Sequence, residues 1–152
     1  MQNNPAYLFT TPWFWSAFGA WTLSQIVKML LACLRTKRID LHYFVSTGGM
    51  PSAHSAMVCA LTTAIGLTEG FDQAVTMLAG AFAAITMFDA AVVRRAAGHQ
   101  ATILNEMVDQ LFKGQRISER RLKELLGHTR LEVFVGMVVG ILVAVIIVSW
   151  WH

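Results

Sequence analysis

The chain has 152 residues, of which 55 % are hydrophobic and only 14 % charged, about half the charged share of an ordinary soluble domain. A soluble protein of this size could not hide so much apolar surface at a mean hydropathy of +0.52, which argues against disorder and against a plain cytosolic enzyme. The length fits one domain, and the net charge of +3 gains meaning only from its position along the chain.

A membrane-spanning helix needs about 20 mostly apolar residues. The first predicted span covers 12–34 and opens on Trp13, Phe14, Trp15 and Trp21, as an interfacial aromatic belt would. The second, 52–67, is short and begins in a polar motif. The third, 71–94, carries Asp89 near its end. The segment 95–130 is long for a loop, yet Ala101, Leu104, Met107, Val108 and Leu111 recur at helical steps. Ser118, Arg121-Leu122 and Leu125-Leu126 predict a second short amphipathic helix, ended by Gly127. Both are expected at the cytoplasmic membrane surface or capping the bundle. The fourth span, 131–151, is the cleanest and closes on Ser149-Trp150-Trp151. The first twelve residues lack a basic start and a small-residue cleavage site, so no cleaved signal peptide is expected. The predicted fold is an all-α polytopic membrane helix bundle over 1–152, about four spanning helices with short cytoplasmic-face amphipathic helices.

Four spans put both termini and the turn at 68–71 on one side, and the segments 35–51 and 95–130 on the other. All 12 Lys and Arg residues lie on or near the second side, while the first offers only Glu69 and Asp72. The positive-inside rule then turns the two basic segments to the cytoplasm. The expected location is a bacterial inner membrane, with both termini on the opposite side. Cys33 and Cys59 lie in apolar runs without CxxC or Cys/His spacing, which argues against a disulfide framework or a zinc site.

Ionisable residues in or beside spans are functional suspects by default. Lys28 lies inside the first span, and Arg35 follows close to two turns later on one helical face. Snorkelling to headgroups accounts for Arg35 but less well for Lys28, which sits deeper. Next comes Ser46-Thr47-Gly48-Gly49-Met50-Pro51-Ser52-Ala53-His54-Ser55. Its glycines let backbone N–H groups approach a ligand, and Pro51 and Ser52 suit a helix start, which attracts an anion. A turn and an N-cap alone would not require His54. The third word is Gly127-His128-Thr129-Arg130-Leu131-Glu132. On a helix, His128 and Glu132 would share a face, and the carboxylate would fix the imidazole tautomer. A capping pattern with a surface salt bridge of Arg130 is the plain alternative. The predicted topology brings all three words to one membrane face. Two cations, a helix start and two histidines are what phosphoryl transfer needs.

These words resemble the type-2 phosphatidic acid phosphatase superfamily, with its signature K-x6-R-P, P-S-G-H and S-R-x5-H-x3-D. Lys28-x6-Arg35, Pro51-Ser52-Ala53-His54 and His128-x3-Glu132 carry the likeness, with Gly136 and Gly140 following the third word. The whole chain, with Asp89-Ala90-Ala91-Val92-Val93-Arg94-Arg95, is most similar to a divergent branch of that superfamily. Thr36, Ala53 and Glu132 replace a proline, a glycine and an aspartate. Leu122 stands where the third motif has an arginine, with Arg121 and Lys123 beside it and Arg94 or Arg95 as other sources of the charge. The predicted spans are fewer than the usual six-helix core, so a homo-oligomer would complete the bundle or the fold is reduced.

The resemblance implies a membrane lipid phosphatase acting on a lipid phosphate or diphosphate, such as a polyprenyl diphosphate or phosphatidate. His128 would be the nucleophile that forms a phosphohistidine, Glu132 would orient it, and His54 would protonate the leaving group. Lys28, Arg35, Ser52 and the backbone at Ala53 and His54 would hold the phosphate, with Arg94, Arg95 or Lys123 in place of the missing arginine. That mechanism needs no metal and no cofactor. The expected partners are the lipid substrate and membrane lipids, and no nucleic acid. A lipid phosphotransferase using the same intermediate and a non-catalytic binder or transporter of anionic lipids are the competing readings. Asp89, Arg94, Arg95, Gln100, Asn105 and Asp109 have no counterpart in the signature. Either Asp89 pairs with Arg94 or Arg95 to stabilise a helix end, or the arginines bind a second phosphate and the carboxylates bind Mg²⁺. His42 and His99 read as interfacial residues.

Overall fold

The computed structural model describes residues 5–36, 49–111 and 129–151. A 3₁₀ turn at Pro5–Thr10 leads into α1 (Pro12–Thr36), then α2 (Ala53–Glu69), α3 (Ala74–Phe88), a π-helical turn at Asp89–Val93, α4 (Arg94–Leu111) and α5 (Arg130–Trp150). No strand occurs among the described residues. Pro12 occupies the first helical position, where its missing N–H is not needed. Between α2 and α3 the chain turns at Gly70, whose φ of 111° suits glycine and whose N–H donates to the Gly66 carbonyl.

The hub of the bundle is α2, which packs against α5, α1 and α3, while α1 also lies along α5. Side-chain contacts fix the directions. Trp13 Nε1 donates to Thr68 Oγ1 at 2.7 Å, and the Lys28 stem lies against Gly49, so α1 and α2 are antiparallel. Gly136 faces Ser52 and Gly140 faces Ala56, so α2 and α5 run in the same direction. Cys59 Sγ lies 3.7 Å from Met87 Sδ, and Gly66 meets Phe71, so α3 runs back along α2. The end of α1, the starts of α2 and α5, and the end of α3 therefore share one end of the bundle. At the other end Trp13 packs on the cluster that holds Ala64, Ala144 and Val148.

Small side chains make the interior. Ser52, Ala56, Ala60 and Ala64 on α2 are fully buried, as are Ala20 on α1 and Ala144 on α5. Lipid competes for large apolar side chains as well as a protein core does, so helices in a bilayer associate through close backbone approach at small residues. A Cβ added at Gly136 would strike the Ser52 carbonyl, and one at Gly140 would strike the Ala56 backbone.

The helical membrane bundle expected from the sequence is consistent with this architecture. Three helices, Pro12–Leu34, Ala74–Met107 and Arg130–Trp150, are long and apolar enough to cross a membrane. The remaining apolar stretch is α2, which at 17 residues, or about 25 Å, is shorter than the usual hydrocarbon thickness and packs against α1, α3 and α5. The helix read from the pattern after residue 95 forms as α4, joined to α3 through the π-helical turn. Charge alone does not stop a helix; that takes a cap, a proline or a C-terminal glycine. The second amphipathic helix expected around Ser118–Gly127 lies outside the described residues.

Candidate functional site

Lys28 stands in a column of every fourth residue on α1, with Ser16, Ala20 and Ser24, all turned into the bundle. It is only 5 % exposed, which rules out snorkelling to headgroups. A buried ammonium needs a counter-charge, and the Glu132 carboxylate at the start of α5 supplies one. Gly49 completes the enclosure. Its φ of +98° favours glycine, and a Cβ there would lie 3.4 Å from Lys28 Cγ.

The second word closes on the third through the main chain. Ser52 N–H donates to the Glu132 carbonyl at 3.1 Å. Ser52 is also the N-cap of α2, its Oγ accepting from the Ser55 N–H at 3.5 Å and from the Ser55 hydroxyl at 3.0 Å. Both serines are fully buried, and Ala53 is 2 % exposed. The cap uses the N–H groups of Ser52 and Ser55. The Ala53 N–H makes no hydrogen bond among the described residues and sits at the positive end of the α2 dipole. His54 is half-buried in the first turn of α2.

Thr129 caps α5 in a reciprocal arrangement. Its Oγ1 accepts from the Glu132 N–H at 3.3 Å, and its own N–H donates to Glu132 Oε2 at 3.1 Å. The helix thus begins at Arg130, and the capping part of the plain alternative is present; His128, the other half of the predicted pair, lies outside the described residues. A carboxylate has about four acceptor positions, so one cap bond leaves capacity for Lys28 and for a further donor. Beside this end, Ala91, Val92, Ala96, His99 and Arg130 line an open cleft.

Lys28, Ser52, Ala53, His54 and Glu132 are therefore gathered at one end of the bundle. For Arg35, Arg94 and Arg95 the structure describes the helical backbone alone, and Lys123 and His128 lie outside the described residues. Sequence reasoning missed the pairing of Lys28 with Glu132 and the seam that holds it. The signal for the seam was there: small residues recur every fourth position in Ser52, Ala56, Ala60 and Ala64 and again in Gly136, Gly140 and Ala144. Among the described residues no group of three or more His, Cys, Asp or Glu side chains gathers as a metal site.

Comparison with known proteins gives the same picture. The chain is 38 % identical over 143 residues to an uncharacterized membrane protein, YuiD, of Bacillus subtilis (strain 168), covering 87 % of this chain and 90 % of that protein. No solved structure matches. The family model described as the divergent PAP2 family matches residues 9–143. This helical membrane bundle, with Lys28, the Ser52-capped helix start and Glu132 at one end, therefore belongs to the divergent PAP2 family.

Proposed function

We propose that this protein is a membrane lipid phosphatase that cleaves a lipid phosphate or diphosphate through a phosphohistidine. The observation that carries this reading is Lys28, buried inside the bundle beside Glu132, next to a helix start that is tied by its main chain to that same glutamate. A cation held away from water beside first-turn N–H groups is suited to a phosphate's charged oxygens.

In the proposed reaction one imidazole nitrogen of His128 attacks phosphorus, and the bond to the lipid oxygen breaks as His54 gives that oxygen a proton. A water then loses a proton to His54 and attacks phosphorus, the P–N bond breaks, and phosphate leaves with both histidines restored. Lys28, Arg35, Ser52 and the Ala53 N–H hold the phosphoryl oxygens, and Arg94, Arg95 or Lys123 supplies the cation that Leu122 does not. Glu132 orients His128 with the acceptor capacity left by its cap bond. The motifs face the cytoplasm of a bacterial inner membrane, as the placement of the basic residues favours.

Purified protein in detergent, given lipid monophosphates and diphosphates, is expected to release phosphate, and His128→Ala is expected to abolish the release. Unchanged release by that variant would remove His128 as the nucleophile. Addition of candidate alcohols separates hydrolysis from transfer, since an acceptor lipid would then appear in place of free phosphate. Binding of the same lipids with no turnover and no trapped phosphoenzyme would favour the anionic-lipid binder, a reading to which the engagement of Glu132 with Lys28 and Thr129 lends weight.

A further inference from the structure

Ahead of the first span, Pro5–Thr10 forms a 3₁₀ turn of Pro, Ala, Tyr, Leu, Phe and Thr. The last carbonyls of a helical turn have no partner within it and are ordinarily left to water. Here side chains take the place of water. The Thr10 hydroxyl donates to the Tyr7 carbonyl at 2.8 Å, the Thr11 hydroxyl to the Leu8 carbonyl at 3.0 Å, and Trp15 Nε1 to the Phe9 carbonyl at 2.8 Å. Three consecutive carbonyls are thus satisfied within the chain. The side chains of the same three residues turn outward: Tyr7 is 53 % exposed, Leu8 57 % and Phe9 55 %. A segment built for water leaves its carbonyls to solvent and withdraws its large apolar groups. This one does the reverse.

An aromatic strip fastens the turn to the outer face of α1. Phe9 meets Phe14 with ring centroids 4.9 Å apart, Phe14 meets Phe18 at 5.8 Å, and Phe18 meets Trp21 at 6.2 Å. Phe18 lies about 9 Å along the axis from Pro12 and is exposed, on a helix long and apolar enough to cross a membrane. The strip therefore faces acyl chains, and Phe9 continues it beyond the helix start. Tryptophans at a membrane interface ordinarily aim the indole N–H at water and headgroups. Trp13 and Trp15 do not, since one donates to Thr68 and the other to the Phe9 carbonyl. No charged side chain occurs between residues 5 and 27 to hold this stretch at an aqueous surface, whereas Glu69 and Asp72 mark the neighbouring turn at the same end of the bundle.

We propose that the Pro5–Thr10 turn is a membrane anchor, set at the headgroup–acyl boundary of the leaflet opposite Lys28 and Glu132, with Tyr7, Leu8 and Phe9 inserted among the acyl chains. Backbone enters that layer without a large loss only when its polar groups are met internally, and the three side-chain bonds give the turn this property. The partner is the lipid leaflet itself, taken up by apolar area as an interfacial helix is. The anchor also fixes depth. From Trp15 to Lys28 the helix rises about 20 Å. With Trp15 held just inside one boundary of a hydrocarbon layer about 30 Å thick, Lys28 is kept short of the other. The inference does not depend on the phosphatase reading.

The test is nitroxide accessibility in the full chain, reconstituted in phosphatidylcholine nanodiscs on a Cys33→Ala, Cys59→Ala background that removes both free cysteines. Single labels go on Leu8→Cys, on Leu142→Cys as the lipid reference from the exposed face of α5, and on Asp72→Cys as the aqueous reference at the same end. Molecular oxygen partitions into acyl chains, and a nickel chelate stays in water. The Leu8 label is expected to favour oxygen over nickel several-fold more than the Asp72 label does, approaching the Leu142 label. Trp15→Phe frees the Phe9 carbonyl and is expected to shift the Leu8 label toward nickel. The Leu142 label should keep its ratio in that variant, which shows that the bundle is intact. A Leu8 label that matches the Asp72 label overturns the proposal. So does a Leu8 label shielded from both reagents, because protein and not lipid then covers the turn. An unchanged Leu8 ratio in Trp15→Phe overturns it too, since the depth of the turn then owes nothing to its satisfied carbonyls.

Discussion

The α2–α5 seam and the α3–α4 arm are built on opposite rules. In the seam the closest contacts are between small residues, Ser52, Ala56, Ala60 and Ala64 against Gly136, Gly140 and Ala144, and the backbones come close enough for a hydrogen bond between Ser52 and Glu132. On the arm, large side chains point away from the protein: Leu78 is 72 % exposed, Ile85 68 % and Met77 63 %. In a soluble domain this would be inside out. In a bilayer, size is useful toward lipid and smallness toward protein, because helix association depends on close packing more than on escape from water. The candidate residues Lys28, Ser52 and Glu132 fall on the small-residue side. A buried lysine and a capped helix start can be positioned only where neighbouring backbones are fixed at close range.

That contrast can be broken experimentally, and the largest effect is expected at the buried charge. Lys28→Met removes the cation beside the Glu132 carboxylate, and Glu132→Gln removes a counter-charge of buried Lys28; the single changes should each cost about 1 to 3 kcal/mol. The double variant should cost less than the sum, as a double-mutant cycle on thermal or denaturant unfolding in detergent would read. Additive losses would show that the two charges do not couple. Of similar size, Gly140→Val drives a side chain into the Ala56 backbone and should cost about 1 to 3 kcal/mol, read in the same unfolding assay. A mild loss would mean that the helices part easily. Thr129→Ala removes one half of the capping box and should cost about 1 kcal/mol, with a matching fall in any phosphate binding if Glu132 shifts. The smallest effect is expected on the arm: Leu78→Ala should change stability by less than about 0.5 kcal/mol. A large loss there would mean that α3 packs on another protein surface.

Much of the architecture was legible because hydropathy is a direct record of what faces lipid. The apolar stretches locate α1, α2 and α5, and Trp13 at the start of the first stretch indeed ends up fastened to Thr68. The run from α3 into α4 was not legible. Arg94 and Arg95 look like the end of a span, but nothing near them terminates a helix, and a local π-helical turn lets the backbone continue. The site was readable in part. Lys28, the Ser52 cap and Glu132 declared themselves by being polar in apolar surroundings, whereas their pairing depends on which helices are neighbours, and spacing within one helix cannot report that. The Thr129-x-x-Glu132 capping pattern is a local signal that the sequence carries and the structure forms.

The bond from Ser52 N–H to the Glu132 carbonyl has an implication for how this protein can vary. It uses no side chain, so exchanging either residue for another leaves donor and acceptor in place; only proline at position 52 deletes the donor. Side chains at this junction can thus drift while the main-chain tie between the start of α2 and α5 persists.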